Sequence, residues 1–475
     1  METSRRRRAR GARLLLAACL VTCLGLLALP LPRGAQPAYG ELATATPIKH
    51  VIIIQQENRS FDTYFGTYPG ADGIPMVNGV PQVACNPDPT TKTCVKPFEY
   101  HQDVARGGPH STQNSIADIA GGAMTGFQAQ GSTTANCFDF TDPRCGVVTA
   151  KGRNDVLGYH TQSDIRNYWA YANSFVLQDR FFAATQSWSL PDHLYLVSGW
   201  SAKCTSDSPT SCRSSTYEND ARNASVLKGK NHVAWTDLTD MLHRAGVSWR
   251  YFIGTGGQPD CAKDDEMVCK VGRQNYQTPG FWNPLPYFNT VKANGELGNI
   301  QDNALYFTAA ANGTLPAVSW VIPNHVNSDH PPSKVSVAQR WVTKVVNAAM
   351  SGPDWNSTAI FLAWDDWGGF YDHVVPPTID GQGLGIRVPG LTISPYAKAG
   401  YIDHQVLSTD SYLKFIEDNF LGQQRLDPAT DGRPDSRPSV RETNATYGDL
   451  MNEFDFTKPP RAPVLLPTKP RTTLR

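Results

Sequence analysis

Past its first forty residues the chain has no apolar run long enough to cross a bilayer, so nothing in the remainder reads as a transmembrane span. Nor does it carry an excess of positive charge. The first forty residues take seven arginines and one glutamate from totals of 43 basic and 43 acidic residues, leaving 36 and 42 and a net charge near −6. No basic stripe survives, which argues against nucleic acid as a partner and against strong adhesion to an anionic membrane. There is no internal repeat, so solenoids and propellers are excluded. The chain also lacks CxxC pairs of the kind that build zinc ribbons, and it shows no pattern that specifies an oligomeric state.

What the chain does have at its start is a targeting segment. Arg5 to Arg8, Arg10 and Arg13 form a basic region, Leu14 to Pro32 is uncharged, and small residues follow, with Ala38-Tyr39-Gly40 and Ala43-Thr44-Ala45 as candidate cleavage sites. The apolar stretch is short for a spanning helix and ends in Pro30 and Pro32. Residues 1–40 are therefore assigned to a cleaved signal peptide, and the mature protein is expected to be secreted, without stable membrane insertion. Ser4-Arg5-Arg6 matches part of a twin-arginine signal but lacks the following Phe-Leu, so the export route stays open.

Cys19 and Cys23 leave with the signal. The other eight cysteines fall into close pairs, Cys85 and Cys94, Cys137 and Cys145, Cys204 and Cys212, Cys261 and Cys269, each separated by seven or eight residues. Eight cysteines permit about 105 pairings, but this clustering favours nearest neighbours. In an oxidising compartment they are expected to form disulfides that staple surface insertions.

Two stretches carry the chemistry. Gln55-Gln56-Glu57-Asn58-Arg59-Ser60-Phe61-Asp62 follows the apolar run Val51 to Ile54, and Trp364-Asp365-Asp366-Trp367-Gly368-Gly369-Phe370-Tyr371-Asp372-His373 follows Ala359 to Ala363. Such runs read as buried strands of a parallel sheet, and an acid directly after one sits at the carboxyl end, where open α/β sheets bind ligands. A lone strand-end Asp is commonly a helix cap. Adjacent Asp365-Asp366, with a second acid–amide pair in Glu57-Asn58, points instead to hard oxygen ligands for a divalent cation. The residues by themselves thus suggest a metal-assisted hydrolytic site.

Elsewhere, residues 63–150 are rich in Gly, Pro, Asp and Asn and read as long ordered loops. Helices are expected over 164–174, 237–245, 337–350 and 409–420. Strands are expected over 175–177, 247–253, 317–322, 358–363 and 391–394. This alternation argues a mostly parallel sheet covered on both faces. The tail over 423–475, rich in Pro, Arg, Asp and Thr, is expected to lie along the surface or to be partly disordered.

The Glu57-Asn58-Arg59-Ser60-Phe61-Asp62 segment resembles the opening signature of the bacterial phosphoesterase family that holds non-haemolytic phospholipases C and related acid phosphatases. Further agreement comes, in order, from Ser189-Leu190-Pro191-Asp192-His193-Leu194-Tyr195-Leu196, Asp329-His330-Pro331-Pro332-Ser333, and Arg387-Val388-Pro389 leading to Ser394-Pro395. The likeness spans roughly residues 48–421. It implies a three-layer α/β/α sandwich of the alkaline phosphatase-like kind, with a catalytic domain over 41–422. It also implies a phosphate ester as substrate, with phospholipids and soluble phosphomonoesters both in play.

The resemblance places the nucleophile at Ser189, which from the residues alone is equally well read as a helix N-cap. Phospholipase-like members usually have Thr followed by Pro-Asn-Arg, where this chain has Ser with Pro-Asp-His. Glu57, Asn58, Asp365 and Asp366 are the expected metal ligands. Their hardness favours Ca, Mg or Mn, whereas Zn more often recruits histidine. His330 and His110 are the expected proton donors to the leaving oxygen or hydrogen-bond donors to the intermediate. Asp372 and His373 are expected to support the Asp365-Asp366 loop from behind, and the spacing of Arg59 and Asp62 allows a local ion pair. The competing reading is an exported metal- or ligand-binding protein that keeps this fold without turnover.

Overall fold

The strand β1, His50–Gln56, is buried from Val51 onward on both of its faces. A strand with no polar face cannot lie at an edge or against water, and β1 is the centre of the sheet. The computed structural model describes residues 43–89, 91–132, 155–217, 233–260 and 271–475. Among them the other strands of the main sheet are β2 Val176–Gln178, β3 Trp249–Ile253, β4 Ile300–Asp302, β5 Val318–Ile322, β6 Thr358–Trp364, β7 Gly390–Ile393 and β8 Tyr401–Asp403. The order of this eight-stranded sheet is β4-β3-β5-β1-β6-β7-β2-β8. Only β7 runs against its neighbours; every other pairing is parallel.

The helices that concern the site are α1 Phe61–Phe65, α2 Thr112–Ile119, α3 Arg166–Ser174, α4 Ser189–Ser198, α5 Leu238–Arg244, α6 Asn303–Asn312, α7 Val335–Ser351 and α8 Thr409–Phe420. They cover both faces of the sheet, as side-chain alternation shows. Phe361 of β6 stacks on Tyr412 of α8 with ring centroids 4.7 Å apart, while Trp364 of the same strand meets Tyr168 of α3 at 5.3 Å. Residues three apart on a strand point to opposite faces, so α8 and α3 lie on opposite sides. The fold is thus an α/β sandwich around a mostly parallel sheet. In α7, Val335, Ala338, Trp341, Val342, Val345, Val346 and Ala349 are buried at helical spacing and form its sheet-facing stripe.

The expected helices and strands are present with ends shifted by one or two residues. Two additions are short edge strands, β4 and β8, which are too brief to show a period. The loop-rich region after Asp62 differs more. It contains the small hairpins Met76–Val77 with Val80–Pro81 and Asn86–Asp88 with Thr93–Val95, along with α2. The chain after Gly422 packs on the domain: Arg441 and Glu453 are fully buried, and Arg461 donates to the carbonyls of Ser174 and Ala397.

Disulfides join Cys85 to Cys94 across one hairpin and Cys204 to Cys212 across another, both nearest-neighbour pairs. Cys137, Cys145, Cys261 and Cys269 lie outside the described residues.

Candidate active site

Register alone brings the two acidic stretches together. β1 and β6 pair in parallel from His50 opposite Thr358 to Gln56 opposite Trp364, so both strands end level. The next residues, Glu57 and Asp365, leave the sheet side by side, and the backbone N–H of Asn58 donates to Asp365 Oδ1 at 2.9 Å. Asn58 has φ 56°, in the left-handed region. Asn tolerates that region better than most residues with a Cβ, and here it turns the chain back over the strand ends. Its Nδ2 donates to Asp366 Oδ1 at 3.1 Å and lies 3.1 Å from His110 Nε2, leaving Oδ1 with no hydrogen-bond partner.

His110 reaches the site because glycines let two loops touch. A Cβ on Gly369, whose φ is 73°, would lie 2.4 Å from the Cα of Gly108. Without it the Gly108 N–H donates to the Gly368 carbonyl at 2.9 Å. His110 then follows, its Nδ1 3.0 Å from the Gly108 carbonyl. Ser111 caps α2 in a reciprocal pair with Asn114 and so fixes where the loop ends.

Ser189 lies at the first turn of α4 and is wholly buried. No side-chain hydrogen bond caps this helix, so the N-cap reading of Ser189 fails on geometry. Its hydroxyl donates to Asp366 Oδ2 at 3.3 Å, across the floor of the site. Three residues on, Asp192 accepts from the Thr185 N–H at 3.3 Å and leaves Oδ2 unpartnered. One turn on, His193 Nε2 lies 3.1 Å from Glu57 Oε1.

His330 follows β5 in a loop whose Asp329 N–H donates to Gln56 Oε1 at 3.1 Å. Its Nε2 lies 3.2 Å from Asp260 Oδ1 and its Nδ1 2.7 Å from the Pro331 carbonyl. Asp260 also lies 3.9 Å from His110 Nε2 and accepts from the Trp282 indole at 2.6 Å, so one carboxylate ties both histidines to the loop after β3.

The electrostatics are lopsided. Burial, then the Asp365 charge, pushes the Glu57 carboxyl well above the usual carboxylate range, and the same two causes raise Asp366. Asp192 is raised by burial and by Asp366 and Asp365. Burial lowers the His193 imidazole. Asp260 is the exception. Burial opposes its charge, yet hydrogen bonds and charge from His110 and His330 hold it well below its ordinary value. Four buried acids gathered with several oxygens unpartnered form a site that a divalent cation would satisfy. The bare oxygens are Glu57 Oε2, Asn58 Oδ1, Asp192 Oδ2 and Asp365 Oδ2.

The structure therefore gathers Glu57, Asn58, Asp365, Asp366, Ser189 and His110 into one contact network, with His330 joined to it through Asp260. His373 and Asp372 are elsewhere. They form a buried ionic cluster in which Arg387 Nε donates to Asp372 Oδ1 at 2.9 Å, Arg387 Nη2 to Asp62 Oδ1 at 3.2 Å, and His373 Nδ1 lies 2.7 Å from Asp62 Oδ2. Asp62 thus pairs with an arginine 325 positions away and not with Arg59, whose Nη1 donates to the Asn58 carbonyl. The cluster holds α1 against the connection between β6 and β7, and its hydrogen bonds run to Asp62, Asp72, Asp179 and Asp372 rather than to Asp365 or Asp366.

Arg387 is completely buried between two carboxylates, one of which, Asp372, is pushed up to about 6 by burial. In Arg387→Met the buried Asp372 would lose its counter-ion and Asp62 would keep only His373, and we expect a loss of about 3–5 kcal/mol of stability. An unchanged midpoint in urea unfolding would contradict that picture of the cluster.

The sequence pattern assigned no role to Asp260, Asp192 or His193. Asp260 lies in an insertion beside Cys261 and shows no periodic signal. Asp192 and His193 lie at positions i+3 and i+4 from Ser189, and that spacing on a helix beginning at the expected nucleophile was the available clue.

A sequence profile of the Phosphoesterase family matches residues 48–421. The chain is similar to a non-hemolytic phospholipase C of Burkholderia pseudomallei, 27% identical over 481 residues, covering 90% of this chain and 61% of that protein. It is also similar to phospholipase C B of Mycobacterium tuberculosis, 27% identical over 476 residues, covering 92% and 82%, and to non-specific phospholipase C1 of Arabidopsis thaliana, 26% identical over 388 residues, covering 76% and 63%. The chain spans about three fifths of the length of the Burkholderia relative. Among solved structures, a phosphonate monoester hydrolase of Agrobacterium radiobacter aligns over 78% of this chain and 73% of that one with a TM-score of 0.34 and 10% identity.

Proposed function

Because the chain belongs to the Phosphoesterase family, we propose that it is a secreted, metal-dependent hydrolase of phosphate esters that works through a phosphoseryl intermediate on Ser189. The observation that carries this reading is the bond from the buried Ser189 hydroxyl to Asp366 Oδ2, among oxygens that lack any partner.

Glu57, Asn58, Asp365 and Asp366 would hold the divalent cation, which supplies charge for the phosphoryl oxygens and a lowered barrier to ionising a nearby hydroxyl. The protein's own residues account for the rest. Asp366 Oδ2 orients Ser189 Oγ and takes its proton as Oγ forms its bond to phosphorus. The bond from phosphorus to the ester oxygen breaks, and that oxygen leaves with its electron pair and takes a proton from His330, whose two nitrogens both face acceptors. His110 instead accepts from Asn58 Nδ2 and gives its own proton to the Gly108 carbonyl. Water then attacks the phosphoserine from the vacated side, giving inorganic phosphate or a phosphomonoester and restoring Ser189. Asp260 Oδ1 holds His330 Nε2 at 3.2 Å and stands 3.9 Å from His110 Nε2, so one carboxylate fixes where both imidazoles sit. Asn58 is aimed by His110 and Asp366, which leaves its carbonyl oxygen toward the cation.

The similarity to phospholipases C favours phospholipids as substrates. Ser189 with Pro191-Asp192-His193, in place of the phospholipase pattern, favours soluble phosphomonoesters. No helix among the described residues is long and apolar enough to cross a membrane. The leader and the two disulfides support export. The deciding measurement is a substrate panel on the mature protein: phosphatidylcholine vesicles, p-nitrophenyl phosphate and bis-p-nitrophenyl phosphate. Turnover of at least one, abolished by chelator, is expected. No turnover of any by metal-loaded protein would favour the binding-protein alternative.

A further inference from the structure

His193 occupies a place that hydrogen bonding alone leaves unexplained. It is one helical turn beyond Ser189, so α4 presents the hydroxyl and the imidazole on the same face. The ring is fully buried and lies nearly parallel to the Trp282 indole, with 15° between planes and centroids 6.4 Å apart. One ligand atom each from Glu57, His193 and Asp365 lies within 4.8 Å of the other two. The Nε2 to Glu57 Oε1 separation is 3.1 Å. Two donors bound to one cation at about 2.0–2.2 Å, with an angle between 90° and tetrahedral, lie roughly 3.0–3.5 Å apart.

If Nε2 only donated to Glu57, one oxygen would be satisfied while Glu57 Oε2 and Asp365 Oδ2 stayed buried and bare. The other groupings of ligand-type residues are already used. In His110–Asp260–His330 both Asp260 oxygens are taken, by His330 and by Trp282. In Asp62–Asp372–His373 the charge is met by Arg387. Among the described residues, only the His193 grouping keeps open oxygens beside an imidazole.

We propose that His193 Nε2 is a nitrogen ligand of the metal centre, so that the site is mixed imidazole and carboxylate and takes a cation of the zinc, manganese or cobalt class over calcium or magnesium. This rests on the reading of Glu57 and Asp365 as metal ligands, and it adds a residue and a metal class to that reading.

The test uses the mature protein stripped with chelator, reloaded with Mn(II), and examined by electron spin-echo envelope modulation. A directly bound imidazole gives nitrogen modulation in the wild type, which shifts when histidine is supplied as the 15N form. In His193→Gln, which keeps a hydrogen-bond donor for Glu57, the modulation should vanish while circular dichroism is unchanged. Its preference for zinc over magnesium in competitive dialysis should fall about 100-fold or more. Bound manganese without nitrogen modulation in the wild type overturns the proposal and leaves the oxygen-ligand site standing, and it needs no variant to fold. Modulation that persists in His193→Gln also overturns it, by assigning the nitrogen to another histidine. A wild type that binds no metal at all removes the metal centre itself, and this proposal with it.

Discussion

In Ser189→Ala we expect turnover to fall by at least about 10³-fold, with metal content and thermal midpoint nearly unchanged. The reason lies in what the hydroxyl touches. Ser189 stands in the first turn of α4 without capping it, and its Oγ donates to Asp366 Oδ2 at 3.3 Å. Alanine keeps the helix start and almost the same volume, so the stability loss should stay near about 1 kcal/mol, the usual worth of a single hydrogen bond. What disappears is the hydroxyl that donates to Asp366. Acid-quench trapping with a 32P-labelled substrate should place label on Ser189 in the wild type and none in the variant. Robust activity in Ser189→Ala would mean that water attacks phosphorus directly and that no phosphoserine forms.

Asp365→Asn should have the second largest effect, and it should act on metal content and turnover together. Asp365 is buried, accepts the Asn58 N–H through one oxygen and leaves the other without a partner. The amide keeps the size and the hydrogen bond but removes a full charge from the ligand set. Metal affinity should therefore drop by at least about 100-fold, beyond the 10–100-fold typical of outer-shell changes. Chelation of the wild type should mimic the variant and be reversed by added divalent cation, whereas the variant should respond only to a large excess. Full activity in Asp365→Asn after chelation and dialysis would separate Asp365 from the metal and dissolve the shared site.

Much of the site was legible because its residues follow buried strands. Val51 to Ile54 and Ala359 to Ala363 are runs with no polar face, and an acid at the end of each must emerge at the carboxyl edge of the sheet. That made Glu57, Asn58, Asp365 and Asp366 a natural set. Ser189 was recognisable by its segment and its helix start. The supporting cluster was misread for the opposite reason. Asp62 and Arg59 are close in sequence, yet Arg387 reaches Asp62 from 325 positions away and His373 turns to the same carboxylate. Local spacing suggests ion pairs only within an element, and this cluster joins helix α1 to the connection between β6 and β7.

By itself the sequence determined the α/β class, the buried central strands, the nearest-neighbour disulfides at Cys85–Cys94 and Cys204–Cys212, and the residue types available for chemistry. All of these follow from short-range patterns: apolar runs, helical spacing and cysteine clustering. Tertiary structure decided which of those residues meet. The level ends of β1 and β6 set Glu57 beside Asp365, and the close approach of Gly369 to Gly108 delivers His110. An insertion without any periodic signal supplies Asp260 to two histidines, and the rotation of α4 turns His193 onto Glu57. Such contacts depend on register, on backbone approach and on the direction a helix faces. None of these is written in the neighbourhood of the residue itself, because each is fixed by packing against elements that are distant along the chain.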